Sequence, residues 1–82
     1  MNKLKLLEKI LNNQKNLKFS DFLIILNGFG FILDRTNGSH HIYKHPNVNE
    51  LINIQEVKGE VKPYKIKQFF KLVEKYNLDF QE

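Results

Sequence analysis

Phe29-Gly30-Phe31-Ile32-Leu33-Asp34-Arg35-Thr36-Asn37-Gly38-Ser39-His40-His41-Ile42-Tyr43-Lys44-His45-Pro46 is the stretch whose reading decides the fold. From Phe29 the hydrophobic period is two. Phe29, Phe31 and Leu33 alternate with Gly30, Ile32 and Asp34, the pattern of a strand that ends at Arg35. Asn37-Gly38 is a strong hairpin dipeptide, because both residues tolerate positive φ. His40 to His45 is then the returning strand, and Pro46-Asn47 breaks it.

Leu51 to Gln55 reads as a third short strand. On the N-terminal side, Lys3 to Asn13 is a short helix with Leu4, Leu7, Ile10 and Leu11 on one face, followed by the polar breaker Asn12-Asn13-Gln14-Lys15-Asn16. Ser20 is the expected N-cap of a second helix, with Asp21 in its positive first turn. Phe22, Ile25 and Leu26 form its apolar face, and Asn27-Gly28 ends it. On the C-terminal side, Lys58-Gly59 and Pro63 lead into a last helix over Tyr64 to Tyr76. There Ile66, Phe69, Phe70 and Val73 fall at i, i+3, i+4 and i+7. The order α-α-β-β-β-α predicts an α+β domain spanning residues 1–82, with helices on one face of an antiparallel sheet and the other face open.

The 82 residues carry thirteen Lys or Arg against nine Asp or Glu, a net charge of +4. Twelve of the thirteen basic residues are lysine, which favours general attraction to phosphate over bidentate reading of bases. Such a charge also serves ordinary solubility. With no cysteine there is no disulfide scaffold and no thiolate zinc site, which fits a reducing cytoplasm. No apolar run approaches the roughly 20 residues that span a bilayer, so no membrane partner is expected. Glu8 and Lys9 interrupt the apolar start, which argues against a signal peptide.

All three histidines lie within His40 to His45, and imidazole exchanges protons near neutral pH. Strand alternation divides them. His40, Ile42 and Lys44 take one face and His41, Tyr43 and His45 the other. With Ile42 turned towards the helices, His40 sits at the rim beside the turn, either as an oriented acid–base group or as a cap of the hairpin. His41, Tyr43 and His45 are then expected on the open face with Asn53 and Gln55, either as a stacking surface for bases or as a plain polar surface. His41 and His45 lie about 13 Å apart along a strand, too far to share one ion, so no metal site is predicted. Lys58, Lys62, Lys65 and Lys67 bracket the start of the last helix, whose free N–H groups add to a phosphate seat; a solvated lysine-rich face is the alternative. Ser39 beside His40 leaves a serine nucleophile open.

The chain resembles the HicA toxins, the mRNA-cleaving halves of bacterial HicA–HicB toxin–antitoxin pairs. Three pieces carry the resemblance over roughly Phe19 to Leu78: Phe29-Gly30-Phe31 leading to Arg35, the Gly38-Ser39-His40-His41 run with its His45-Pro46 ending, and Lys62-Pro63-Tyr64 before the last helix. The resemblance implies a double-stranded-RNA-binding-like α-β-β-β-α fold in residues 19–78, with residues 1–18 as an extra N-terminal helical extension. It implies metal-independent cleavage of mRNA with no cofactor, and His40 as the histidine of the Gly-Ser-His motif, with Gly38 as its turn glycine. It further implies a HicB-type antitoxin that covers the site and through which alone the toxin meets DNA. Beside the first helix, the segment Gln55-Glu56-Val57-Lys58-Gly59-Glu60-Val61 departs from the family pattern by its acidity.

These readings converge on one chemistry. The ribose 2′-OH is activated against the neighbouring phosphate, with His40 as acid or base and His41 as second choice for the opposite role. Gly38, Ser39, Lys44, Lys62 and Lys65 are the expected substrate contacts. A non-catalytic RNA-binding module and an antitoxin-binding module use the same lysines and are the rivals.

Overall fold

A computed structural model describes residues 2–81. Three helices and a three-stranded sheet follow in the order α1 (Lys3–Asn12), α2 (Phe19–Gly28), β1 (Ile32–Asn37), β2 (His40–His45), β3 (Val48–Gln55) and α3 (Pro63–Lys75). The sheet is an antiparallel meander in the order β1-β2-β3. Set between α2 and α3, it gives the α-β-β-β-α layout of double-stranded-RNA-binding-like domains, with α1 in front.

Local chemistry accounts for the helix ends. The Asn2 side chain caps α1 by accepting from the Lys5 N–H at 2.9 Å. Ser20 does not cap α2, contrary to expectation. That helix starts two residues earlier, with Lys18 at the N-cap position and no side-chain cap. The reason is tertiary: the Phe19 N–H donates to Gly59 O at 2.9 Å and the Val61 N–H to Leu17 O at 3.0 Å, which pins the entry to α2 against the 57–61 turn. Pro63 opens α3 at a position where no N–H is needed.

An aromatic cluster centres the core. Phe69 of α3 meets Phe22, Phe29, Phe31 and Phe70 edge-on, with centroids 5.3 to 5.6 Å away, the preferred geometry for ring quadrupoles. Ile25, Leu26, Ile52, Ile54 and Ile66 complete it. From α1, Leu6, Leu7 and Ile10 enter the same core. Phe29 and Phe31 therefore act as buried anchors ahead of β1 rather than as strand residues. The strand itself is an exposed edge, interrupted by a bulge at Asp34.

Two turns need glycine. Asn37 pairs with His40, so the hairpin loop is Gly38-Ser39 rather than Asn37-Gly38, with Gly38 at φ +63°. Gly30, at φ +90°, lies where a Cβ would fall 2.8 Å from His45 Nε2.

The two faces of β2 are the reverse of the sequence expectation. Tyr43 is buried at 5% exposure and pairs with Ile52, while His41 pairs with Ile54. The His41 ring lies 4.8 Å from Phe19 and the His45 ring 5.1 Å from Phe31. His41, Tyr43 and His45 thus face the helices. His40, Ile42 and Lys44 face the open side, where Asn53 and Gln55 are opposite Ile42 and His40. The physical cause is β3. Its two isoleucines must be buried, and a strand has only one register that opposes them to the larger aromatic faces of β2.

Candidate functional site

The hairpin turn, the end of β3 and the start of α3 meet around His40. A small cleft of about 110 Å³ is lined by His40, Asn53, Gln55, Lys62, Tyr64 and Lys65. Backbone pairing holds it together: Glu56 N–H donates to Ser39 O, extending the β2–β3 ladder beyond Gln55. The 57–60 turn, with Lys58 and Gly59 at positive φ, then redirects the chain into α3. This detour brings helix residues to the open face of a sheet whose helices otherwise lie on the other side.

His40 is half-buried and oriented. Its Nδ1 stands 3.1 Å from Asn53 Oδ1. A carbonyl oxygen only accepts, so Nδ1 is the donor, and in the neutral ring the lone pair is on Nε2. That tautomer is the one a base requires. Beside it, Gln55 Nε2 donates to Ser39 Oγ at 3.3 Å, tying the turn to β3. Lys62 and Lys65 supply positive charge at the first turn of α3, where the helix dipole has the same sign.

The other histidines are placed differently. His41 Nδ1 donates to Ser39 O at 3.2 Å, and its ring packs on Phe19 on the far side of the strand. His45 Nδ1 accepts from the Asn47 N–H at 3.0 Å, closing the β2–β3 turn. Lys44 shares the open face with His40 but lies about 13 Å further along the strand. There it pairs with Asp34 at 3.3 Å. That pairing, with Arg35 in support, holds the Asp34 carboxyl below its ordinary range.

Of the residues singled out in the sequence, the cleft brings together His40, Lys62 and Lys65; Ser39 is tied to it through Gln55, Gly38 lies in the turn before it, and His41 and Lys44 stand apart. Asn53 and Gln55 join His40 and Ile42 rather than His41, Tyr43 and His45, and Tyr64, which the sequence marks as the start of the last helix and as part of Lys62-Pro63-Tyr64, lines the cleft as well. The signal that would have corrected the faces is the alternation Ile52-Asn53-Ile54-Gln55, which identifies the outward side of β3 unaided. A second depression of about 400 Å³, lined by Lys15, Lys58, Lys62 and Glu60 among others, adjoins the cleft through Lys62. Among the described residues, no helix is long and apolar enough to cross a membrane, and no cluster of three metal-ligating side chains occurs.

The fold is thus a small basic α+β domain that holds a hydrogen-bonded imidazole in a cleft rimmed by Lys62 and Lys65. The family model for the HicA toxin of bacterial toxin–antitoxin systems matches residues 19–74, and the chain belongs to that family. Comparison with curated proteins and with solved structures gives no significant match.

Proposed function

We propose that this chain is an endoribonuclease toxin that cuts mRNA in the cytoplasm and is neutralised by a HicB-type antitoxin seated over the His40 cleft. The reading rests above all on the hydrogen bond between His40 Nδ1 and Asn53 Oδ1, which occupies one ring nitrogen and leaves Nε2 to act in a cleft that Lys62 and Lys65 also line. Nε2 takes the proton of a ribose 2′-OH. The 2′-oxygen bonds to phosphorus as the P–O5′ bond breaks, leaving a cyclic phosphate; water protonates the departing 5′-oxygen, and the hydroxide so formed takes back the proton held on Nε2. Lys62 and Lys65 offset the charge that gathers on the phosphoryl oxygens. One positioned acid–base group contributes about 10²–10⁴-fold, enough for a slow nuclease. We assign His41 a supporting part, holding the Ser39 carbonyl and hence the turn.

The test is induction of the wild-type chain and His40→Ala at matched soluble expression. Growth arrest with fragmented transcripts, both lost in a folded His40→Ala, is the expected result. If His40→Ala arrests growth as strongly as wild type, the protein works by occupancy and His40 is structural.

A further inference from the structure

From the same cleft we infer that Tyr64 is a stacking platform for a nucleobase next to the phosphate held at His40, so that the site takes single-stranded RNA. This deepens the nuclease reading and rests on it for the nature of the ligand. Three observations carry it. Among the described residues, Tyr64 is the most exposed of the large apolar side chains, at 66%. The other tyrosines have structural places: Tyr43 is buried, and Tyr76 Oη donates to Glu50 at 3.0 Å. And Tyr64 lines the cleft with His40, between Lys62 and Lys65.

Helical side chains lean towards the helix N-terminus, so a ring in the first turn of α3 projects over the Lys62 end, where phosphate charge is best met. An aromatic face flanked by two cations binds one nucleotide at two points, base on ring and phosphate on ammonium. In duplex RNA the bases are stacked on each other and their faces are closed, so only an unpaired base can reach the ring. The cleft is also small, about 110 Å³, which suits one phosphate and sugar rather than a helix.

The experiment uses the full chain and a short single-stranded 2′-O-methyl oligonucleotide, which lacks the attacking hydroxyl and stays intact. Its controls are an abasic strand of equal length and the corresponding duplex. Binding is read by intrinsic tyrosine fluorescence and by anisotropy. Quenching by the base-bearing strand and a loss of about tenfold or more in its affinity on Tyr64→Ala are expected, with Tyr64→Phe retaining affinity. The abasic strand should bind wild type and Tyr64→Ala alike, and the duplex should not quench. Equal affinity of Tyr64→Ala and wild type for the base-bearing strand would overturn the inference. So would an equal loss for the abasic strand, which would make Tyr64 a backbone contact. Because the probe cannot be cut, the outcome is independent of catalysis: quenching in a chain that cleaves no RNA would sink the nuclease reading alone.

Discussion

Asn53 acts on His40 through a single hydrogen bond, and the proposed chemistry depends on it. Without an acceptor at that position the imidazole can rotate and place its proton on either nitrogen, so the base is misplaced for part of the time. Asn53→Ala is expected to lower kcat for RNA cleavage by about tenfold with little change in KM. Asn53→Asp keeps an oxygen in the same place and should retain most of the rate. Equal losses from both substitutions, measured with a fluorogenic RNA, would show that Asn53 contributes something other than an acceptor. Gln55 holds the turn rather than the imidazole, so its replacement should be milder.

At the scale of elements, α3 is fastened to β3 at the end away from the cleft. Glu50 accepts from Lys75 Nζ and from Tyr76 Oη, each at 3.0 Å. The Lys75 hydrogen bond, then that of Tyr76, holds the Glu50 carboxyl below the ordinary glutamate range. The unfolded chain keeps the ordinary value and so binds a proton first as pH falls. The stabilisation is therefore present in full above the unfolded value and is lost as pH drops through the lowered folded one. Glu50→Gln should flatten the fall of the urea midpoint below about pH 4.3, with a small effect at neutral pH, because the pair is exposed. An unchanged acid limb in Glu50→Gln would assign that loss to other carboxylates, Asp34 first. The adjoining chain after α3 is held by packing: Phe80 lies over Gly28 and 5.0 Å from Phe29, and the Gln81 N–H donates to Gly28 O at 2.7 Å.

Considered as a whole, the molecule has little stability to spare, since a chain of this size buries only about two-thirds of its surface. Helix α1 lies outside the matched family region, yet Ile10 is fully buried and Leu6 and Leu7 join the same core. We propose that this extension is part of the folding unit. Ile10→Ala should then cost about 2–5 kcal/mol, a large share of the total for a small domain. Thermal unfolding decides it: a single transition shifted well downwards is expected, whereas an unshifted transition would make α1 an appendage. Its exposed residues Leu4 and Leu11 should be silent in the same assay.

The sequence by itself determined the element types and their order, because each depends on local periodicity: two through the hairpin, 3.6 in α3. It also singled out the Gly38-Ser39-His40 turn, since a glycine and an imidazole cluster are visible without any long-range contact. Strand faces were not legible in β2 alone. An isolated Ile42 looked like a core residue, and nothing within six residues revealed that Phe19 and Phe31 would gather His41 and His45. Only the pairing of β2 with β3 settled that choice, because burying Ile52 and Ile54 turns Asn53 and Gln55 outward. The same pairing brings Asn53 to His40 and carries Lys62, Tyr64 and Lys65 to the cleft. Those contacts join residues 13 to 25 apart in the chain. Such proximity arises from the closing of the sheet and the return of α3, which no local pattern encodes.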